Sequence, residues 1–377
     1  MAPSSRTLNY DALLSLSLEN YRDTLFDQIF TNAPFLAALY GAFGRRGSKG
    51  RGIRLVNGGE RIRVPLLYGK NTTVGSYSGY DVLDVAPQEG ITTAFFTWRQ
   101  LAGSVAISRK EERQNAGEGQ IKDLLSAKVM QLESTMRDEL NNQLLGKTVS
   151  SEVWSAGDGQ SGQTAGADFD PLLHLIPKDP TSSVQVGNIN QSTYGWWRPR
   201  IVDGSHVHGS KDAGAERGFA CDDWATLGLA ARHTYNLCGQ GGGGFPDLGI
   251  LDQMCFESYE ASLDNKVRYN STDGPATLGF ETIRFKGQDL VWDEMVPDID
   301  NGYTYDSSSH DSSTWLMLNT DYLELVMDSA TDFITTPFVR PENQDAKVAQ
   351  ILAMGNLVCY NRRKQGMIYG ITKGIAA

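Results

Sequence analysis

Two histidines separated by one residue, His206 and His208, are the strongest candidates for metal chemistry in this sequence. Asp203 and Asp212 flank them, and imidazole and carboxylate groups together can bind zinc. The sequence nevertheless has no H-E-x-x-H motif and no third histidine at ligand spacing nearby. We therefore predict an exposed polar loop here rather than a metal centre.

Three further motifs of binding or catalytic sites are incomplete or absent. Asp298 and Asp300 begin a pattern like that of a calcium loop, but Gly302 falls one position early and no glutamate closes the loop. The glycine-rich tract 239–244 lacks the lysine of a phosphate-binding loop, so we predict a flexible connector. No G-x-S-x-G motif occurs. We predict no catalytic residue, no cofactor and no metal, and we expect that the protein is not an enzyme.

The composition is that of a globular protein with many turns, with 40 glycines among 377 residues. A net charge of −11 disfavours coating of nucleic acid, which needs clustered Lys and Arg. Cys221, Cys238, Cys255 and Cys359 contain no C-x-x-C pair, so we expect free thiols in a reducing cytoplasm. We find no export signal and no run of 18 apolar residues, and we expect no membrane span.

A long two-stranded excursion is the most informative structural prediction. Ile62, Val64 and Leu66 alternate with polar positions in the outgoing strand, and residues 91–108 return as a second strand. The returning strand carries Phe95, Phe96 and Trp98, which place aromatic rings on both faces. A lone hairpin is marginally stable and its edges invite pairing. We therefore expect other copies of the protein to cover it, as in a building block.

A long helix is predicted directly after this excursion. Ser108 and Glu111 have the spacing of a capping box and start a short helix. Apolar residues then recur every three or four positions from Ile121 to Leu144, which predicts a helix over 120–145 with one apolar stripe. A coiled coil is the alternative, but the stripe is short and has no sustained e/g charge pattern.

The remaining elements are shorter. One or two arm helices are predicted between residues 11 and 40, with Pro34 as a break. We further predict a return strand at 184–189, helices at 222–237 and 247–263, and strands at 282–285, 290–292 and 314–318.

Charge is distributed unevenly along the chain. Residues 45–63 carry seven basic residues against Glu60, whereas 287–339 contain no Lys or Arg and many acids. Nucleic-acid binding by the basic segment is one interpretation, but no aromatic residues are interleaved for stacking. The asymmetry favours head-to-tail association, in which the arm of one copy contacts the acidic body of the next.

Four segments of the sequence are distinctive: residues 107–146, 186–200 (VGNINQSTYGWWRPR), 279–297 (GFETIRFKGQDLVWDEMVP) and 318–371. They resemble major capsid proteins of tailed bacteriophages with the Hong Kong 97 type of fold. The resemblance implies an α+β fold with an N-terminal arm (1–57), an extended loop (58–108) and a peripheral domain with a long spine helix (109–190). An axial domain (191–338) and a return to the peripheral domain (339–377) would follow.

The resemblance also implies a function. Such subunits assemble as pentamers and hexamers into an icosahedral virion shell around double-stranded DNA, in the host cytoplasm, without sequence-specific binding. It implies a portal protein and a separate scaffolding protein as partners, and leaves a decoration protein open. A nanocompartment (encapsulin-like) shell is the alternative; an acidic hydrolase or carbohydrate-binding protein is disfavoured by the missing export signal.

The predicted intersubunit contacts lie in and around the extended loop. They are Arg61, Arg63, Lys70, Tyr77, Tyr80, Leu83 and Trp98. Arg61 and Arg63 lie on the polar face of a strand, and we predict that they pair with acids of a neighbour. Lys70 is the only lysine of the loop and so the only donor for the cross-link that some relatives make. Nothing in the sequence marks an acceptor asparagine or a catalytic glutamate, so no cross-link is predicted.

Overall fold

The computed structural model describes residues 33–39, 52–114, 124–145, 154–155, 159–160, 168–205, 214–263, 283–296, 312–341 and 345–372. His206, His208, Asp212, Asp298, Asp300, Gly302 and most of the predicted arm lie outside these ranges. Within residues 33–39 the arm forms one short helix, α1 (Pro34–Leu39).

The first sheet has five strands and is built around one long strand near the carboxyl end of the chain. Its strands are β1 (Gly52–Val56), β4 (Arg99–Ser108), β15 (Leu323–Asp328), β16 (Ile334–Thr335) and β17 (Ala346–Cys359). β17 pairs antiparallel with β4 along Ala346–Gly355 and with β15 along Gly355–Cys359. β1 runs parallel to β15.

The short helix that follows β4 begins as the sequence predicts. In the turn into α2 (Arg109–Gln114), the Ser108 N–H donates to Glu111 at 3.0 Å and the Glu111 N–H donates to Ser108 Oγ at 3.2 Å. The capping box is therefore confirmed. The long helix α3 is described over Leu124–Leu145. It packs so closely on β4 that a Cβ at Gly103 would lie 2.6 Å from Leu132 Cδ1, so a larger residue there would displace the Leu132 side chain.

The second sheet has seven strands in the order β10-β9-β18-β14-β11-β13-β12. They are β9 (Arg200–Asp203), β10 (Arg217–Gly218), β11 (Leu248–Leu251), β12 (Ile283–Phe285), β13 (Gln288–Trp292), β14 (Ser312–Leu318) and β18 (Gly366–Thr372). Helices α5 (Trp224–Gly239) and α6 (Gln253–Leu263) cover one face. Leu316 and Leu318 point to the other face, where they join the core shared with the first sheet. The chain thus mixes helices with two sheets, as expected.

Short elements complete the fold. The excursion forms a two-stranded sheet of β2 (Ile62–Leu67) and β3 (Ile91–Phe96), and β7 (Gln185–Val186) pairs with β8 (Ile189–Asn190). A separate pair, β5 (Trp154–Ser155) and β6 (Gly159–Gln160), and the one-turn helix α4 (Leu172–Leu175) lie between α3 and β7. No helix of the described ranges combines the length and low polarity needed to cross a bilayer.

The structure corrects several predicted elements. The returning strand of the excursion is two strands, since β3 pairs with β2 whereas β4 belongs to the first sheet. The predicted strand at 184–189 is a tight hairpin, because Gly187 and Asn188 both have positive φ angles of 62° and 63°. The predicted helix at 247–263 begins only at Gln253, because the apolar run Leu248–Leu251 forms a buried strand between β13 and β14.

The chain crosses between the two sheets on either side of residue 338. β15, before this residue, pairs in the first sheet, and β18, after it, lies between β9 and β14 in the second sheet. Residues 345–372 therefore connect both sheets, because β17 and β18 belong to different ones.

Candidate assembly interface

The base of the extended loop is fixed on its own subunit. Ile62, Val64 and Leu66 of β2 are buried, and they face the same core as Ala94 and Phe96 of β3. The β7–β8 hairpin covers this face: the Phe95 N–H donates to the Gly187 carbonyl at 3.0 Å. A Cβ at Gly187 would lie 2.9 Å from the Ala94 Cβ, so the two hairpins touch directly. The expectation that other copies of the protein cover the excursion is therefore wrong for this face, which the chain's own hairpin buries.

The opposite face of β2 is open. Arg61 and Arg63 are both exposed, as their alternation with the buried positions predicts. The Arg63 guanidinium lies 5.9 Å from the centroid of the Phe95 ring on the paired strand. Among the described residues, Arg61 forms an ion pair only with its neighbour Glu60, at 3.8 Å, and both side chains are largely in solvent. The two guanidinium groups are thus available to an acidic partner.

A buried polar cluster anchors the bend at which the loop enters the first sheet. Asn356 Nδ2 donates to the Thr97 carbonyl and to Asp170 Oδ2, both at 2.8 Å. The Asp170 N–H donates back to Asn356 Oδ1 at 2.9 Å, and Arg99 forms a salt bridge with Asp170 at 3.0 Å. Sequence reasoning missed these residues, although an asparagine inside the apolar strand β17 is itself a signal.

Trp98 lies at this bend and is held by its own chain. Its Nε1–H donates to the Gly59 carbonyl at 2.7 Å, and the ring packs half-buried against the core. At the other end of β2, Tyr68 stacks on Trp196 with ring centroids 5.0 Å apart. Trp98 is therefore placed at the loop base, away from the other predicted contact residues of the tip.

The loop tip, defined here as residues 70–89, has no helix or strand. The ladder between β2 and β3 ends with the Tyr68 N–H donating to the Gly90 carbonyl at 2.9 Å. Beyond it, the hydrogen bonds are mostly local turns, such as Ser78 N–H to Asp81 Oδ2 at 2.7 Å and Ala86 N–H to Asp84 Oδ1 at 2.9 Å. One longer bond, from Thr72 Oγ1 to Gln88 Oε1 at 2.8 Å, joins the two sides.

The tip exposes its apolar side chains almost completely. Tyr80 is 102% exposed, and the others that are largely in solvent are Val74, Tyr77, Val82, Leu83 and Val85. Lys70 is exposed as well. A contiguous exposed apolar surface usually marks a binding site for another molecule. The structure thus brings the predicted contacts Lys70, Tyr77, Tyr80 and Leu83 together on one segment that nothing in the described chain covers.

The opposite charges of the early and late chain meet partly within one subunit. The Arg54 guanidinium on β1 lies 3.5 Å from the Glu324 carboxylate on β15, and Tyr360 also bonds to Glu324. Asp328 accepts a hydrogen bond from the Gly58 N–H at 3.2 Å. Asp289 and Asp293 are likewise bonded inside the chain, to Arg284 and Asn141. The charge asymmetry therefore reflects, at these residues, a contact of the chain with itself rather than only head-to-tail association.

The candidate reactive groups are poorly placed for chemistry. All four cysteines are buried free thiols. Burial raises the pKa of Cys221, Cys238 and Cys359 to about 12, which keeps them protonated and weakly nucleophilic. Within the described residues, no three His, Cys, Asp or Glu side chains gather to hold a metal ion.

Solved capsid and encapsulin structures share this fold. The capsid asymmetric unit of cyanophage A-1(L) matches with a TM-score of 0.59 and 14% identity over 94% of this chain and 97% of that chain. The capsid of Myoviridae phage XM1 matches with a TM-score of 0.51 and 12% identity over 98% and 99% of the two chains. The holo-SrpI encapsulin complex of Synechococcus elongatus PCC 7942 matches with a TM-score of 0.51 and 7% identity over 99% and 97%. No family model and no curated protein matches the sequence.

These matches extend over nearly the whole length of both chains in each pair. At such low identity they establish the fold and leave the function to be argued from the molecule itself. The chain therefore has the fold of phage capsid and encapsulin subunits.

Proposed function

We propose that this chain is a major capsid protein of a tailed bacteriophage, which self-assembles into the icosahedral shell that encloses the phage DNA. The observation that carries the proposal is the exposed apolar loop tip on a subunit with a capsid fold. A protein that stays monomeric gains nothing from six large apolar side chains in solvent, whereas a shell subunit buries them at every contact.

The energetics favour assembly through many repeated contacts. Full burial of a Val or Leu side chain contributes about 1.5–3 kcal/mol, so a covered tip would stabilise each subunit contact by several such increments. The ordering of the tip opposes this gain. A closed shell repeats the same contact in every pentamer and hexamer, which makes a modest contact sufficient.

The sheets suggest how the Hong Kong 97 type domains map onto this chain. The first sheet with α3 corresponds to the peripheral domain, and the second sheet with α5 and α6 to the axial domain. In this proposal β15 joins the peripheral domain and β18 the axial domain, which modifies the boundaries 191–338 and 339–377. Residues 1–57 remain the proposed arm, 58–108 the extended loop and 109–190 the first part of the peripheral domain.

The proposed role is structural rather than enzymatic, and it uses no cofactor. The net charge of −11 suits a shell that contains DNA without gripping it. A portal protein and a separate scaffolding protein are proposed as partners, and the assembled virion capsid as the location.

A nanocompartment shell is the second candidate. The observation that favours it is the match to the SrpI encapsulin over 99% of this chain. The two functions differ in the contents of the particle, since a phage head holds DNA and a nanocompartment holds proteins.

The test is expression of the chain alone and together with its neighbouring genes, followed by light scattering and electron microscopy. Closed shells with capsomers as intermediates are the expected result. Particles that hold double-stranded DNA and one portal vertex support the phage head, whereas particles that hold an enzyme support the nanocompartment. A monodisperse monomer at every salt and protein concentration, with the scaffold present, would contradict both.

A further inference from the structure

Three consecutive basic residues, Arg362, Arg363 and Lys364, form the turn at which the chain crosses from β17 to β18. Arg362 is buried and is held by groups of its own chain. Its Nε donates to the Leu175 carbonyl at 2.7 Å, its Nη2 to Gln191 Oε1 at 2.9 Å, and its guanidinium lies over the Trp197 ring. The other two cations differ from it.

Lys364 is a buried cation without a carboxylate partner among the described residues. Only 2% of the residue is exposed, and its ammonium donates to the Gln240 carbonyl at 3.0 Å. The glycine loop 241–244 packs against the Lys364 side chain. A Cβ at Gly243 would lie 3.4 Å from Lys364 Cε. A buried ammonium needs an opposite charge to offset its desolvation. Burial lowers the pKa of Lys364, and Arg363 and Arg200 lower it further.

A second cation, the half-buried Arg200, lies at the same corner. Its backbone N–H donates to the Gln365 carbonyl at 3.0 Å, which places it beside Lys364 at the start of β9. Its guanidinium bonds to Glu216 through Nη1. Its Nε is buried and has no acceptor among the described residues. One donor of this guanidinium is thus left without a partner within the described chain.

Arg363 completes the group on the solvent side. It is exposed, and no hydrogen bond or ion pair within the described chain holds its guanidinium. With Arg200, Lys364 and the single carboxylate of Glu216, the corner carries an excess of two positive charges. The protein has a net charge of −11 but is positive at this corner. An acidic partner is therefore attracted to this corner rather than to the rest of the surface.

The loop tip has the complementary charge. Residues 70–89 contain Lys70 against Asp81, Asp84 and Glu89, an excess of two negative charges. All three carboxylates are on exposed residues, next to the exposed apolar side chains of the same segment. The tip therefore offers both the charge and the buried area that a contact at this corner needs.

We propose that Arg200, Arg363 and Lys364 form a docking site for the acidic loop tip of a second copy of this chain. The proposal deepens the proposed shell function and rests on it. Arg363 forms an ion pair with a tip carboxylate at the surface. Arg200 and Lys364 lie behind it, largely out of solvent, and their positive charges strengthen the attraction. The apolar side chains of the tip exclude water around the pair.

The experiment measures the yield of shells from purified subunits by light scattering and electron microscopy. Arg363→Glu changes an exposed residue, so its circular dichroism and thermal midpoint should match wild type. We expect its shell yield to fall at least about tenfold, because two like charges then face each other. Asp84→Lys with Glu89→Lys should cause the same loss, and the three changes combined should restore assembly to within about threefold of wild type. Lys110→Glu on α2 is the control with the same charge change.

The outcomes separate this proposal from the proposed function. If wild type forms no shells, the proposed function fails. If wild type assembles and Arg363→Glu does so equally well, only the docking site is wrong. If Arg363→Glu fails but the tip variant assembles normally, the partner is another anion and the proposal is overturned. Inorganic phosphate added at constant ionic strength identifies that case, because it should then inhibit assembly of both wild type and the tip variant.

Discussion

Asp170 and Asn356 lie 186 residues apart in sequence and are joined by two hydrogen bonds inside the protein. The Asp170 N–H donates to Asn356 Oδ1, and Asn356 Nδ2 donates to Asp170 Oδ2 and to the Thr97 carbonyl. The same amide thus holds the carboxylate and the backbone at the loop bend. This cluster fixes the direction in which the extended loop leaves the first sheet.

Replacement of Asn356 by leucine should destabilise the subunit. The change keeps the size of the side chain but leaves the Asp170 carboxylate and the Thr97 carbonyl without this donor. We expect a loss of about 1–3 kcal/mol in the free energy of unfolding, measured by chemical denaturation of unassembled subunits. Asn71→Ala at the exposed tip should change it by less than about 0.5 kcal/mol. Equal values for both variants would show that the cluster is not a stabilising anchor.

His174 should make the stability depend on pH. Burial lowers the pKa of this imidazole from 6.5 to about 4, with Asp170 opposing the shift and Arg362 and Arg99 adding to it. Between these two pH values the unfolded chain binds the proton and the folded chain does not. The contribution of His174 is thus complete above pH 6.5 and is lost as the pH falls to about 4. It amounts to at most about 3 kcal/mol.

The measurement compares wild type with His174→Gln at pH 7 and pH 5. Glutamine does not titrate, so the variant should lose less unfolding free energy between the two pH values than wild type. An identical loss in both proteins would show that His174 accepts a proton as easily in the folded state as in the unfolded state.

Arg61 and Arg63 should matter for assembly far more than for folding. Both are exposed, Arg63 on β2 and Arg61 directly before it, and an exposed ion pair contributes only about 0.2–1 kcal/mol within one chain. The same pair recurs at every contact of a shell, so Arg61→Glu with Arg63→Glu should reduce shell yield strongly at an almost unchanged thermal midpoint. Arg109→Glu with Lys110→Glu makes the same charge change on α2 and serves as the control. Normal assembly of the Arg61 and Arg63 variant would show that these residues face solvent in the shell.

Local patterns were predictable from the sequence, and long-range pairing was not. The capping box at Ser108 and Glu111 could be predicted because both of its hydrogen bonds lie within four residues. The alternation in β2 predicted its buried and exposed faces for the same reason. Leu248–Leu251 was predicted as helix because a four-residue apolar run fits either structure, and its pairing with β13 and β14 decides for a strand.

The same difference between local patterns and long-range contacts applies to the candidate interface. Exposure of the tip side chains was predictable because turn residues surround them and no alternation continues beyond Tyr68. The burial of the hairpin base by Gly187 was not, since the contact joins segments about 90 residues apart. Nor was the pairing of Arg54 with Glu324, because the same charges fit a contact between copies as well as one within a chain.

Hydrogen exchange at the loop tip tests most directly whether this chain is a shell subunit whose tip is covered by a neighbour. The amides of residues 70–89 have mostly local turn hydrogen bonds in the single subunit, so they should exchange quickly in free subunits. In assembled particles the same amides should exchange slowly, whereas those of β17 should be protected in both states. Equally fast exchange of the tip in both states would show that no neighbour covers it, and would contradict the proposed mode of assembly.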